Sequence, residues 1–124
     1  MIDHVSISVR DLRAATKFYA TVLGALGMTQ LREWPTSVGF GKKYPEFWLN
    51  ERAGATIDDG AHVCLRARGK EKVDAFHAAA LAAGGSSDGA PGLRPHYSAN
   101  YYACFVRDPD GNRIEAVTFL VDGD

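Results

Sequence analysis

The 124-residue sequence is poor in the features that mark several large functional classes. It holds two cysteines, Cys64 and Cys104. They are too few for a disulfide scaffold and lie inside apolar stretches, so they read as free thiols of a reducing compartment. No charge of one sign dominates: 14 Lys and Arg against 15 Asp and Glu leave a net charge of -1, which excludes the positive field that would recruit a polyanion or an anionic membrane. No apolar run approaches the roughly 20 residues that span a bilayer, and Met1-Ile2-Asp3-His4 carries an acid where a secretory signal carries basic residues. The chain is therefore expected to be cytoplasmic, with neither nucleic acid nor membrane as a partner. An Asn-x-Ser/Thr acceptor, a Gly-rich phosphate loop and a Gly-x-Ser-x-Gly elbow are missing too. What remains, at 46% hydrophobic and 10% aromatic, is the composition of one domain with apolar mass for a core.

An internal repeat organises that domain. An offset of 58 residues lays His4-Val5 onto His62-Val63 and continues without a gap for 24 positions. Eight of those pairs are identical, among them Arg10/Arg68, Phe18/Phe76, Leu23/Leu81 and Gly27/Gly85, where unrelated segments of this composition share about two. Each copy opens with an apolar alternation, Val5, Ile7, Val9 and then Val63, Leu65, Ala67, which predicts a half-buried strand. Each then turns helical, with Leu12, Ala15, Phe18, Tyr19, Val22 and Leu23 in one copy and Val73, Phe76, Ala80 and Leu81 in the other. Asp11 and Gly69 begin these helices, and Gly27 and Gly84-Gly85 are expected to end them with a positive φ.

Short strands are predicted over 29–33, 37–41 and 46–50, then 101–107 and 113–120, with residues 84–95 as a Gly-, Ser- and Pro-rich loop and Asp108-Pro109-Asp110-Gly111 as a tight turn. The fold class is α+β. Two tandem βαβββ units, 1–55 and 58–124, form one cupped, partly open mixed sheet. One helix covers one face of so small a sheet, so the free faces of the two units cup toward each other.

Strand parity places His4, Ser6 and Ser8 on one free face and His62, Cys64 and Arg66 on the other. Glu115 is an acid in an otherwise apolar strand, where a lone buried carboxylate costs several kcal/mol unless a metal ion or a cation meets it. Two His and one Glu in facial array suit a divalent ion, Zn, Ni, Mn or Fe. The alternative is that the histidines bond to backbone and that Glu115 pairs with Arg113 or Arg107.

These segments resemble the vicinal oxygen chelate superfamily, which groups glyoxalase I, bleomycin-resistance proteins, fosfomycin-resistance thiol transferases and extradiol dioxygenases. The resemblance is carried by residues 2–12, by Phe18-Tyr19 with Leu23-Gly24 and Leu26-Gly27-Met28, by Ala61-His62-Val63 and by residues 105–115. It implies the glyoxalase/bleomycin-resistance/dihydroxybiphenyl-dioxygenase-like fold, with His4, His62 and Glu115 in three metal-ligand slots. The fourth slot falls at Trp48, which cannot ligate; Glu46, two positions away on the same face, could substitute only through a local bulge.

The implied activity is that of a small metal-dependent enzyme chelating vicinal oxygens of a small polar substrate, of lyase or isomerase, thiol transferase or dioxygenase type, with Glu115 as catalytic acid or base. The implied alternative is a metal-free protein that sequesters a ligand, as bleomycin-resistance members do. A homodimer is implied as well. Arg94, Tyr97, Tyr101 and Tyr102 read as substrate contacts, Arg94 for a carboxylate or phosphate; otherwise this segment is an ordered surface loop. Trp48, grouped with Trp34, Phe40 and Phe47, reads as a pocket wall, or else as core or dimer interface.

Overall fold

A computed structural model describes residues 1–121; the last three residues expected in the second unit lie outside it. The first half is β1 (Val5–Val9), α1 (Leu12–Gly24), β2 (Thr29–Trp34), β3 (Ser37–Gly41) and β4 (Phe47–Glu51). The second is β5 (His62–Arg66), α2 (Lys70–Ala82), β6 (Ser86–Leu93), β7 (Tyr101–Arg107) and β8 (Arg113–Phe119). Two four-stranded mixed sheets result, ordered β1-β4-β3-β2 and β5-β8-β7-β6. In each, the first strand runs parallel to the last and the other pairings are antiparallel.

The main difference from the sequence expectation is β6. Residues 86–93 pair with β7 through two register shifts, after Ser87 and after Gly89. An edge strand buries little, so it needs neither apolar alternation nor a clean ladder, and its Gly and Pro content reads as loop. The helix ends also divide their labour. Gly27 and Gly84 take φ of 84° and 105°, whereas Gly85 is required by close packing: a Cβ there would stand 2.7 Å from the Arg107 carbonyl oxygen.

Each helix buries the stripe that its spacing predicts. Leu12, Ala15, Phe18, Tyr19, Val22 and Leu23 of α1 meet Val9, Val38, Phe40, Phe47 and Leu49, while Val73, Phe76 and Ala80 of α2 meet Tyr102, Cys104, Val106, Ile114 and Ala116, all in one continuous core. Asp11 begins α1 by accepting from the Ala14 amide at 3.1 Å. Glu51 accepts the Leu12 amide at 2.9 Å, tying β4 to the same helix start.

Polar contacts then fix one half against the other. Tyr19 on α1 donates to Asp108 in the β7–β8 turn at 2.7 Å, the Asn112 side chain donates to the Ser8 carbonyl at 3.0 Å, and Arg10 pairs with Asp110 at 3.2 Å. The free edges of β1 and β5 bound a groove of about 270 Å³ lined by Ser6, Ser8, Asp58, His62, Asn112 and Arg113. Among the described residues no helix is long and apolar enough to cross a membrane.

Candidate active site on the inner face of the second sheet

Glu115 is the centre of the site. It is 2% exposed, although it lies on the sheet face away from α2, because its neighbours on three strands close over it. The imidazole Nε2 of His62 is 3.0 Å from Oε1, and the phenol of Tyr101 donates to Oε2 at 2.5 Å. Neither arginine offered as an alternative partner reaches it. Arg107 pairs with Asp59 and Asp88, and Arg113 with Asp88 and the Asp59 carbonyl.

This constellation follows from register. The Asp108–Gly111 turn pairs Phe105 with Glu115 and Tyr101 with Phe119, so Tyr101 shares a face with Glu115 and its long side chain reaches back along the hairpin. The parallel β5–β8 ladder sets Cys64 opposite Glu115. Cys64 is exposed as a residue, yet its sulfur lies against Tyr101 and Glu115; loss of solvent there and the adjacent carboxylate push the thiol up to about 12. The Tyr101 phenol is likewise held above its ordinary value by desolvation and by the bond to Glu115. Both stay protonated at neutral pH, two uncharged donors beside one carboxylate.

His4 stands apart. It is exposed, with Asp3 as its charged neighbour at 3.8 Å. The inter-sheet groove brings Ser6 and Ser8, not His4, beside His62, and at about 3.3 Å per strand residue His4 lies about 7 Å beyond Ser6. Among the described residues no three His, Cys, Asp or Glu side chains gather to hold a metal. The donor types of the Glu115–His62 pair suit a divalent ion; the donor count within one chain does not reach three.

The other predicted contacts divide. Tyr97 lies on the site side, edge to face with Tyr101 at 5.0 Å. Tyr102 points the opposite way: it is buried and donates to Asp74 of α2 at 2.6 Å, so it belongs to the helix-side core. Arg94 is spent on the backbone, donating to the Gly92 and Ala90 carbonyls at 2.9 and 2.8 Å, where it clips the bulged β6 against Phe105. Trp48 pairs with Ser6 as Glu115 pairs with Cys64, so it occupies the repeat position of Glu115, and it stacks on Trp34 at 5.1 Å. Glu46 precedes β4 and is exposed, with no bulge turning it inward. Phe105, Phe119 and Arg66, unassigned by sequence, complete the wall of the site; the alternation that selected His62 marks Arg66 as well.

The raised groups set an alkaline limit on stability. Desolvation lifts Tyr19, Tyr101 and Tyr102, the last to about 12, and also Cys64 and Cys104, both to about 12. A folded pKa above the unfolded value gives stability that is full below the unfolded pKa and lost as pH rises. Thermal unfolding followed from pH 7.5, above the range in which His77 titrates, to pH 11 is therefore expected to be flat to about pH 9 and then to decline. Each buried group adds up to about 1.4 kcal/mol per pH unit, and the exposed Cys64 less, because solvent screens it. A melting temperature unchanged at pH 11 contradicts this account.

Comparison with known proteins supports the same architecture. The family described as Glyoxalase/Bleomycin resistance protein/Dioxygenase superfamily matches residues 1–116. A glyoxalase/bleomycin resistance protein from Albidiferax ferrireducens is 33% identical and superposes with a TM-score of 0.85 over 93% of this chain and 96% of its own. An enzyme of the glyoxalase/bleomycin resistance protein/dioxygenase family from Burkholderia phytofirmans is 21% identical, with a TM-score of 0.76 over 96% and 98%. The fosfomycin resistance protein FosX of Listeria monocytogenes is 15% identical, with a TM-score of 0.73 over 98% and 95%. The last two share the fold alone. No curated protein matches the sequence.

Proposed function

The chain belongs to the Glyoxalase/Bleomycin resistance protein/Dioxygenase superfamily, and on that premise we propose that it is a small metal-dependent enzyme acting on vicinal oxygens of a small polar substrate. The observation that carries the reading is Glu115, a carboxylate 2% exposed whose partners are one imidazole, one phenol and the Cys64 thiol, with no lysine or arginine among the described residues to balance it. A buried charge so placed is costly unless a cation completes it.

His62 and Glu115 would hold the ion, Zn, Ni, Mn or Fe, and His4 of a second copy would complete the set, since His4 of the same chain stands away from them. When bound, such an ion supplies a Lewis acid that polarises a chelated oxygen. The chain's own residues do the rest. Tyr101 holds Oε2 of Glu115 and fixes the carboxylate plane, leaving Oε1 on the side of His62 to hold the ion; Oε1 would exchange a proton with the substrate once the substrate displaces it from the ion. Tyr97, edge to face with Tyr101, is one wall of the substrate space, and Trp48, on the sheet face it shares with Ser6, would come to it from the second copy together with His4. The reading places the protein in the cytoplasm, as a homodimer.

A second reading, metal-free sequestering of a ligand, is favoured by one feature: Trp48 fills the position repeat-related to Glu115 and stacks on Trp34, itself 57% exposed. One measurement separates the two. Protein reconstituted with Zn, Ni, Mn or Fe(II) and then dialysed is expected to retain about one equivalent of metal per chain, and Glu115→Ala to retain less than a tenth of that. Less than a tenth of an equivalent in the unmodified protein favours sequestering.

A further inference from the structure

One charge on the inner face of the second sheet is neutralised by no other described residue. Arg66 ends β5 on the side it shares with His62 and Cys64, and its guanidinium carbon lies 4.7 Å from the centre of the Phe119 ring. Among the described residues it has no carboxylate partner and no hydrogen-bond acceptor. The neighbouring arginines are committed: Arg107 and Arg113 to Asp59 and Asp88, and Arg94 to two carbonyl oxygens. Stacking uses the flat face of a guanidinium and leaves its N–H edge for an acceptor, the geometry that suits a bidentate oxyanion.

Register fixes where that acceptor would sit. Arg66 is opposite Val117 and Cys64 opposite Glu115, so Arg66 stands two residues, about 7 Å, beyond Glu115 along the sheet. The wall beside this interval is aromatic, with Tyr101 edge to face against Phe119 at 5.4 Å. We propose that Arg66 is the anion anchor of the site and that the substrate is a small organic oxyanion. Its charged head lies on Arg66, its apolar or aromatic body lies against Phe119 and Tyr101, and its reacting oxygens lie about 7 Å away at Glu115 and His62. This rests on reading the His62–Glu115 face as the substrate site, and it moves to Arg66 the role that the sequence suggested for Arg94.

The test is calorimetric titration of the whole protein, metal-loaded and chelator-treated, with benzoate, phenylphosphonate and the neutral control benzyl alcohol. At least one anion is expected to bind about tenfold more tightly than the alcohol. Arg66→Gln removes that margin and Arg66→Lys keeps part of it, while the melting temperature holds because the side chain is exposed. The better anion tells a carboxylate head from a phosphoryl head. Equal binding of all three probes, a margin that survives Arg66→Gln, or no binding of either anion at millimolar concentration overturns the anchor. An Arg66-dependent margin in protein that takes up no metal overturns the metal reading and leaves the anchor standing.

Discussion

Co-expressed His4→Ala and Glu115→Ala chains are expected to regain metal that neither variant holds alone. If each site takes His62 and Glu115 from one chain and His4 from its partner, both homodimers lose both sites. A twofold dimer of one chain of each kind carries one doubly damaged site and one intact site. Random pairing makes half of the dimers mixed, so the mixture recovers about a quarter of the unmodified stoichiometry. The geometry behind this expectation is a separation: Ser6 and Ser8 of β1 line one groove with His62 of β5, whereas His4, just before β1, is exposed. A His4→Ala homodimer that keeps its full metal complement contradicts the shared site, and so does a mixture that recovers nothing. Metal analysis after size exclusion provides the measurement, with the two chains tagged differently to verify that mixed dimers form.

Much of the fold was legible because a repeat states it twice. The alternation Val5, Ile7, Val9 and its copy Val63, Leu65, Ala67 locate strands whose polar face can be named residue by residue. Glu115 stands out because an acid interrupts an apolar strand. The same register logic places Trp48, since Ser6–Trp48 and Cys64–Glu115 are equivalent pairs in the two sheets. The less legible features depend on backbone shape. Nothing in Ser86–Leu93 announces an edge strand with two bulges, and only those bulges turn the Ala90 and Gly92 carbonyls toward Arg94. Tyr102 is a different case: alternation along β7 already separates it from Tyr101, and composition, three tyrosines close together, obscured the parity.

The largest loss of stability is expected from Asp108→Ala. The carboxylate is 4% exposed, and it accepts from the Tyr19 phenol at 2.7 Å, the Asp110 and Asn112 amides at 3.0 and 2.8 Å, and the Asn112 side chain at 2.9 Å. Four donors and no cation make a charge solvated by the protein itself. Removing it strands a buried phenol and two turn amides, at a cost of about 3–4 kcal/mol, a large part of the 5–15 kcal/mol that a domain of this kind has. Tyr19→Phe deletes one donor and leaves three, so its cost is about 1 kcal/mol. Because the two partners meet directly, the double variant is expected to cost clearly less than the two single losses added together, which a urea-unfolding cycle measures. Strict additivity, or an Asp108→Ala loss below about 1 kcal/mol, contradicts the account. The consequence reaches the active site through chain geometry. Asp108 bonds the backbone of the turn whose register aims Glu115 at His62 and Tyr101, and Tyr19 anchors that turn to the helix of the other half. Asp108→Ala protein that remains folded at low temperature is therefore expected to bind metal at least tenfold more weakly than Tyr19→Phe, which leaves the turn's own hydrogen bonds in place.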